Sequence, residues 1–550
     1  MFNKIKILLL VVLVSTFASC DDEFLETVPT DAVTPAIALQ DVENMKKVLN
    51  GMHRSLYSQL QTILPGGSSN RAGNHYWIPL GDNLAGYLIH SANANNLGWR
   101  DEMQWNSHTL ETSLTSELLW YHRYNTILHS NLIIERINQG DLPVTPDLRE
   151  VEGQAYAYRA YAYLSLIQHY AKGYLIGNPA TDPGVPIILT PESTGPRATV
   201  EEVYNQIGLD LDASIAAFTN ATPRPTGAAK NKSQLNKNVA HGLKARWALS
   251  KGDWQTAASE AVLARQGFPL MGEADWLSGF NTNDLPEVIW GSNVISTETT
   301  FFRSYFYLAS NTFNGSQIRN NPKIADRRVV DLIPETDYRK KVFIIDAPNT
   351  NSSAANNQGG IDSNGQPRDP NYANDRPGYN ARRAEINSTY GITNAFNQHP
   401  YMHFKLKNKN PGSIDPDDII YMRTSEMYLI EAEAKAMMND IAGAQAALRP
   451  LGEERDSAYN VTLFNTQQSL MDHIKFQRRV ELWGEGFGYT DKIRWDEGID
   501  HAANGGSGAS QVLYQSAYQI ARPSTNNDWI FKIPQSEIDA NPNIGPGDQN

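Results

Sequence analysis

The chain has 550 residues, of which 41% are hydrophobic, and it carries a formal net charge of −13. This length allows two to four average domains, or one helical solenoid with elaborations, and the hydrophobic content is ample for a packed core. The acidic balance and the lack of an arginine-rich tract or basic stripe argue against nucleic acid as a partner.

The first segment, residues 1–19, has the pattern of a secretory signal peptide. Lys4 and Lys6 precede an apolar run at 7–14, and small residues end at Ser19. A charged start, a short apolar run and small residues are what signal peptidases recognise. The apolar run is too short to span a bilayer as a stable helix. We therefore expect an exported protein.

Cys20 is the only cysteine in the sequence, so no intramolecular disulfide can form. A lone thiol in an exported protein needs an explanation. The preceding Phe17-Ala18-Ser19 resembles a bacterial lipobox, in which the cysteine is lipidated and becomes the mature N-terminus, although phenylalanine replaces the usual leucine. An ordinary signal peptide that removes Cys20 is the alternative. Residues 20–35 are then predicted to be a lipidated tether.

Three acidic residues, 21–23, follow the predicted anchor at once. Anionic headgroups would repel them, so they do not strengthen membrane attachment. They resemble the acidic export signal of surface lipoproteins in Bacteroidetes-type bacteria, and a plain solvated tether is the alternative. The resemblance implies a lipid anchor in the cell outer membrane, with the protein facing the cell exterior.

Residues 36–550 are predicted to form a single domain with a helical scaffold and a loop-rich lobe. The scaffold is expected at approximately 36–60, 113–270 and 415–500, the lobe at approximately 61–112 and 271–414, and a C-terminal segment at 501–550. Apolar residues at helical spacing predict long helices at 39–59, 113–138, 151–170 and 200–218.

The stretch 238–269 predicts two short helices folded against each other. Alanine recurs at helical spacing on both sides of Gly252-Asp253, and small side chains let two helices approach closely. Ala245, Ala257 and Ala264 fall on the spacing of a tetratricopeptide repeat. A degenerate second copy follows 187 residues later, with Ala432, Asp440 and Ala444 in the places of Ala245, Asp253 and Ala257. We expect a mainly α-helical, tetratricopeptide-like α-α superhelix.

Two loop-rich regions hold aromatic residues among asparagine and glycine. A sugar ring offers an apolar face to an aromatic ring and hydroxyl groups to amides and carboxylates, so such regions are typical of sugar sites. The first, 64–105, is rich in Asn and Gly, and the second follows a β-like run at 285–290. Packing in the core is the alternative role for each ring. The candidate ligand-binding residues are Trp77, Trp99, Trp105, Phe302, Tyr305 and Phe313.

The polar region 346–398 is predicted to be a long surface excursion. Within it, Asp362-Ser363-Asn364-Gly365 has the composition of a calcium loop but lacks the spacing of an EF-hand. No cofactor or metal is predicted, and calcium stays a possibility that nothing in the sequence supports.

Acidic and basic residues alternate near the C-terminus. Two carboxylates flanking a cleft could hydrolyse a glycosidic bond. Neighbouring arginines lower the pKa of such carboxylates and make them poor general acids, so a structural charge network is the favoured interpretation. The sequence contains no H-E-x-x-H, no G-x-S-x-G, no Walker loop and no paired cysteines, and we expect no enzyme. The network residues are Arg478, Arg479, Glu481, Glu485, Asp491 and Arg494.

Three C-terminal segments, 421–435, 474–495 and 529–542, resemble the closing motifs of the SusD/RagB family of nutrient-binding outer-membrane lipoproteins. Three further features also have counterparts in that family, so that the resemblance covers nearly the whole chain. These features are Cys20, the helix at 154–170 and the run at 285–290. One departure is Gly488, where the family commonly carries a basic residue.

The resemblance implies a binding protein that captures oligosaccharides and delivers them to a SusC-like TonB-dependent outer-membrane transporter. Peptide binding, as in RagB-like members, is the alternative within the family, and a secreted glycoside hydrolase is the alternative from another class. The family's ligand-binding aromatic residues lie in an early loop region and after the run at 285–290, where the six rings stand. Trp99, which has asparagines and Arg100 near it in sequence, and Tyr305, which offers both a ring face and a hydroxyl, are the first candidates among them.

Overall fold

The computed structural model describes residues 34–59, 73–90, 99–222, 232–300, 302–315, 319–348, 350, 376–501 and 519–550. The predicted signal peptide, Cys20, nearly all of the predicted tether and the calcium-like loop at 362–365 lie outside these residues.

Helices make up most of the regular structure, which confirms the predicted mainly α-helical fold. In chain order they are α1 (Pro35–Ala38), α2 (Val42–Ser55), α3 (Asn74–Leu84), α4 (Arg100–Met103), α5 (Leu114–Asn138), α6 (Pro146–Tyr170), α7 (Val200–Thr219), α8 (Lys237–Lys251), α9 (Trp254–Ala264), α10 (Glu273–Trp276), α11 (Tyr305–Ala309), α12 (Arg327–Val330), α13 (Arg376–Tyr390), α14 (Thr424–Met437), α15 (Ile441–Arg455), α16 (Gln467–Glu481), α17 (Gly488–Arg494) and α18 (Gln535–Ala540).

The strands are short and pair antiparallel. They are β1 (Leu88–His90), β2 (Pro183–Pro186), β3 (Arg197–Thr199), β4 (Val288–Ser292), β5 (Lys323–Ala325), β6 (Phe343–Ile344), β7 (Met402–His403), β8 (Ile419–Arg423), β9 (Ile499–Asp500) and β10 (Ala521–Arg522). One sheet has the order β1-β5-β7-β6, and the pairs β2–β3, β4–β8 and β9–β10 stand apart. β4 overlaps the β-like run predicted at 285–290 over its last three residues.

Side-chain caps decide where the predicted long helices begin. The helix predicted at 39–59 is present as α2, which begins at Val42 because Asp41 caps it by accepting a hydrogen bond from the Asn44 N–H at 2.8 Å. Thr145 caps α6 in the same way, so α6 begins before the predicted residue 151. Such a cap satisfies one of the N–H groups that a helix start leaves unpaired.

Two segments that were predicted to be loops contain helices. α3 lies in the early loop-rich region, and α13 lies in the predicted polar excursion. The sequence of α3 holds Pro79 and Gly81, which disfavour a helix interior. Nearly every residue of α3 is buried, so tertiary packing outweighs its weak intrinsic propensity.

The predicted hairpin at 238–269 is present as α8 and α9. Gly252 ends α8 in the left-handed conformation, with φ of 80°, and Asp253 caps α9 by accepting from the Thr256 N–H. Ala245 and Ala257 are fully buried where the two helices pack. The small side chains therefore allow the close helix contact that the sequence predicts.

The second copy of the hairpin is present as α14 and α15. Asn439, with φ of 60°, takes the place of Gly252. Asp440 repeats the cap of Asp253, with φ and ψ of −85° and 78° against −81° and 74°. Ala432 and Ala444 are fully buried, as are their counterparts in the first hairpin. The degenerate repeat in the sequence is therefore a repeat of local structure.

The scaffold helices pack mostly against their neighbours in the chain. α5 packs on α6, α6 on α7, α7 on α8 and α8 on α9, and α9 then packs on α14 of the second hairpin. A single hairpin cannot bury its own apolar face, so stacking is what stabilises such helices. The inner faces of this stack form one wall of the cleft described below.

Candidate functional site

The early group of predicted aromatic residues lies largely inside the protein. Trp99 is buried, with its ring stacked on Tyr76 at 5.3 Å and on His90 at 5.0 Å. Trp105 is buried too, and its indole N–H donates to the Leu84 carbonyl at 3.2 Å. Trp77, on α3, is 8% exposed and lines a cleft. In this structure Trp99 and Trp105 offer no open face to a ligand.

The second group is divided between the core and the surface. Tyr305 is buried and donates its hydroxyl to the Gly484 carbonyl at 3.0 Å, and Phe313 is fully buried. Phe302 is 36% exposed. The expectation that Trp99 and Tyr305 are the first candidates for stacking on a ligand conflicts with their burial. Phe302 is the ring in this group that solvent reaches.

The Phe302 ring packs against buried aromatic rings. Its ring meets that of Tyr307 edge-on at 5.3 Å, and Tyr307 meets Phe313 edge-on at 5.8 Å. The guanidinium of Arg303 lies 5.3 Å from the Phe302 ring centroid. Phe313 therefore belongs to the support of an exposed ring and is not itself a contact surface.

Polar side chains border Phe302 on one side. The Gln59 amide donates to the Phe302 carbonyl at 2.6 Å and accepts from the Thr300 N–H at 3.0 Å. Glu298, half-buried, pairs with Arg54 at 3.3 Å. We call this region the Phe302 surface; it comprises Arg54, Gln59, Glu298, Thr300, Phe302 and Arg303. An exposed ring beside amide, hydroxyl and charged groups is the composition that a sugar site requires.

A second feature is a cleft of about 160 Å³ between the inner faces of the scaffold helices and the segment 485–494. We call it the central cleft; its walls come from α3, α5, α6, α8, β4, β8, α14 and the end of α16 with α17. Trp77, Tyr161, Trp290 and Phe487 supply aromatic wall. Tyr161 and Phe487 are half-buried, so the cleft reaches solvent.

Three of the four arginines on the cleft wall pair with carboxylates. Arg246 makes a bidentate pair with Glu426 at 2.6 and 2.7 Å. Arg478 pairs with Asp491 at 2.9 and 3.0 Å, and Arg494 also bonds Asp491 at 2.9 Å. Burial alone would raise the pKa of Asp491, but Arg478 and Arg494 outweigh it and lower that pKa. Asp491 is therefore ionised at neutral pH.

The fourth arginine of the cleft, Arg123, bonds neutral groups. It is 2% exposed, and it donates to Ser165 Oγ at 3.0 Å, to His122 Nδ1 at 3.1 Å and to Asn74 Oδ1 at 2.9 Å. Burial, together with the charge of Arg123, lowers the pKa of His122 to about 3. His122 is therefore neutral and can accept through Nδ1.

Arg123 is not among the residues predicted for a site, although the sequence carries a signal for it. On α5 the buried residues Leu119, Arg123, Ile127 and Ile134 recur at steps of four, four and seven. An arginine inside such a buried stripe marks a buried charge, which is expensive unless something compensates it. The stripe is visible in the sequence, but its meaning depends on a cleft that the sequence does not show.

The predicted charge-network residues lie in three groups. Glu481 is fully buried and accepts from Arg339 at 2.8 Å, from Arg423 at 2.6 Å and from Arg455 at 3.2 Å. Glu485 pairs with Lys405 and Arg423, each at 2.7 Å. Arg478, Asp491 and Arg494 form the second group on the cleft wall, and Arg479 pairs with Glu497 in the third.

These surroundings decide what the two buried glutamates can do. Burial would raise the pKa of Glu481, but Arg455, Arg423 and Arg339 outweigh it and hold that pKa well below the usual range. Arg423 and Lys405 likewise outweigh burial at Glu485 and lower its pKa. A general acid for glycoside hydrolysis needs a raised pKa. These two carboxylates therefore do not meet that requirement.

Gly488 stands where the resembled family commonly carries a basic residue. The atoms around it leave no room for a side chain. A Cβ placed there would lie 2.6 Å from the Tyr87 ring and 2.7 Å from Ala85 Cβ. Its N–H instead donates to Asp82 Oδ1 at 2.9 Å, and the Gly486 N–H donates to Oδ2 at 3.0 Å. Backbone N–H groups therefore donate hydrogen bonds to Asp82 at a position where a basic side chain would not fit.

Among the residues that the structure describes, no group of three or more His, Cys, Asp or Glu side chains is placed to hold a metal ion. Across the same residues, no helix combines the length and the apolar character that crossing a bilayer requires.

Comparison with protein families identifies the chain. Residues 278–550 match the family described as the SusD family, and residues 40–247 match a family described as "Starch-binding associating with outer membrane". The chain belongs to the SusD-like family. No curated protein matches it.

Solved structures support the same fold. A SusD-like carbohydrate binding protein from Bacteroides vulgatus is 21% identical with a TM-score of 0.69, over 92% of this chain and 97% of that one. A SusD superfamily protein from Bacteroides thetaiotaomicron is 20% identical with a TM-score of 0.69, over 93% and 99%. A putative sugar binding protein from B. vulgatus is 19% identical with a TM-score of 0.67, over 93% and 98%. At such identities the likeness concerns the fold.

Proposed function

We propose that this SusD-like protein binds oligosaccharides at the Phe302 surface. It acts as a lipoprotein anchored through Cys20 on the outer face of the outer membrane, and it delivers its ligand to a SusC-like TonB-dependent transporter. Family membership and the printed descriptions of the similar structures support the ligand class. The observation that carries the site is the exposed ring of Phe302, which stands on buried rings beside polar groups.

The expected loss of affinity follows from the apolar area of the Phe302 ring. Stacking a sugar on Phe302 buries apolar area worth about 1–2 kcal/mol at the usual coefficient. Removing the ring should therefore weaken binding about five- to thirtyfold. Trp99 and Tyr305 are poorer test sites, because replacing a buried ring by alanine leaves a cavity that costs about 3–5 kcal/mol of stability.

The experiment has three steps. A glycan panel on the purified protein first identifies an oligosaccharide that binds, and calorimetry then compares wild type with Phe302→Ala. Leu463→Ala is the matched control, since Leu463 is a strongly exposed apolar residue outside the Phe302 surface. Finally, chromatography of each mixture shows whether the glycan stays intact. We expect an intact glycan, weaker binding by Phe302→Ala and unchanged binding by Leu463→Ala.

Each other outcome points to a stated alternative. Binding of peptides but of no glycan would favour the RagB-like alternative. Cleaved glycan would favour a hydrolase, and undiminished affinity in a folded Phe302→Ala variant would remove Phe302 from the site. Transfer to a transporter is tested separately, by co-purification with the TonB-dependent protein from the same membrane.

A further inference from the structure

The charges on the wall of the central cleft do not balance. Arg246 is neutralised by Glu426, and Arg478 with Arg494 is neutralised by Asp491 and Glu433. Glu485 is neutralised from outside the cleft by Arg423 and Lys405. Arg123 has only neutral partners in the described part of the chain. The wall therefore carries one uncompensated positive charge.

Hydrogen-bond donors are in excess on the same wall. Arg123 has five N–H groups, of which three reach its neutral partners, so two are unused within the described residues. Arg478 is 3% exposed, and its Nη1 has no partner among the residues that the structure describes. Within the same residues the indole N–H of buried Trp290 also has none. The carboxylates on the wall are already engaged, so acceptors for these donors have to come from solvent or from a ligand.

Two of these donors flank one aromatic ring. The Arg123 guanidinium lies 4.8 Å from the ring centroid of Tyr161, and the Trp290 ring meets the same ring edge-on at 5.3 Å. Arg478 lies beside another ring, with its guanidinium 5.8 Å from the centroid of Phe487. The cleft thus combines unpaired donors with aromatic wall.

A buried charge without a counter-charge is costly, and so is a buried donor without an acceptor. A single carboxylate would offset both, because it brings one negative charge and about four acceptor positions. The volume of about 160 Å³ is close to that of cavities that hold a six-membered ring, on the order of 150 Å³.

We propose that the central cleft is a binding site for a carboxylate-bearing ring compound of the hexuronic acid class. The carboxylate pairs with Arg123 and accepts a hydrogen bond from the Trp290 N–H. The sugar ring packs against the aromatic wall. This site is separate from the Phe302 surface and does not depend on it. An acidic glycan residue and a free small carboxylate share the recognised group, so the test must distinguish them.

The test is calorimetry on the purified full chain with three probes at neutral pH, namely D-glucuronate, D-glucose and acetate. We expect glucuronate to bind and glucose not to bind. Arg123→Met should lower the affinity for glucuronate about ten- to hundredfold, the range for a hydrogen-bonded charge. Arg136→Met is the matched control, since Arg136 lies on the same helix and pairs with Asp141 at the surface.

Trp290→Phe is the second variant, because it removes the indole N–H and keeps an aromatic ring. It should weaken glucuronate binding less than Arg123→Met does, and it decides the matter if Arg123→Met does not fold. Acetate binding as tightly as glucuronate, and losing affinity in Arg123→Met, would assign the site to small carboxylates. Equal binding of glucuronate by wild type, Arg123→Met and Trp290→Phe, or binding by none, overturns the proposal. Phe302→Ala should leave glucuronate binding unchanged, which separates this test from that of the Phe302 surface.

Discussion

Two glycines bring α3 against the segment that follows α16, and they give the sharpest stability prediction. A Cβ on Gly81 would lie 2.7 Å from the Gly486 carbonyl oxygen, and a Cβ on Gly486 would lie 2.9 Å from Ile78 Cα. Both obstacles are backbone atoms, so no side chain can rotate out of the way. Beside this contact, Asp82 accepts the N–H groups of Gly486 and Gly488.

The change Gly81→Ala sets two effects against each other. Alanine in a helix interior is favoured over glycine by about 1 kcal/mol. The added methyl group, however, lies about 0.7 Å inside the 3.4 Å at which ordinary contact begins. Overpacking of this kind costs about 1–3 kcal/mol, and separating the segments would also lengthen the bonds to Asp82, each worth about 0.5–1.5 kcal/mol. We expect a net loss of about 1–3 kcal/mol.

Gly51→Ala is the matched control. Gly51 lies inside α2, and a Cβ there meets nothing within 4 Å. The same substitution should therefore stabilise the protein by about 0.5–1 kcal/mol. Urea unfolding followed by circular dichroism compares the midpoints, and we expect them to shift in opposite directions. If Gly81→Ala is as stable as wild type or more stable, the backbone contact at Gly486 is not as close as described.

Three further predictions concern other parts of the molecule. Ala257→Leu should overpack the contact of α9 and lower stability by about 1–3 kcal/mol, whereas Gln255→Leu on the exposed side of that helix should not; thermal melting compares them. Cys20→Ala should abolish fatty-acid labelling and release the protein from membranes, and unchanged labelling would contradict lipidation. Burial raises the pKa of Asp82 from 3.8 to about 7, so between these values the folded protein holds a proton that the unfolded chain has lost, and the free energy of unfolding should fall as pH rises. Asp82→Asn should flatten that fall in unfolding curves measured from pH 4 to 7.

The sequence predicts the hairpins well because their signals are local. Gly252 with Asp253, and Asn439 with Asp440, each combine a left-handed residue with a capping side chain. Such a pair determines a turn without reference to the rest of the chain. α3 was missed for the opposite reason, since its stability comes from burial against distant segments.

The aromatic residues show the limit of composition as a guide to a site. Trp99 lies beside a stretch rich in asparagine, and this suggested a sugar site, yet it is stacked between Tyr76 and His90 in the core. Phe302 has no such neighbours in sequence, yet its ring is exposed where it packs edge-on against buried Tyr307. Composition indicates that rings are available, but only packing decides which of them a ligand can reach.

The segment by which the family resemblance is recognised builds the interior of the protein. Glu481 binds arginines from three different places in the chain, Arg339, Arg423 and Arg455, and therefore holds β8, α15 and α16 together. Removing one partner of such a buried pair leaves an uncompensated charge and costs about 3–5 kcal/mol. The fold therefore needs this motif, whatever ligand the protein binds. Differences in ligand among proteins of this fold should therefore arise at places such as the Phe302 surface and Arg123, which the motif does not include.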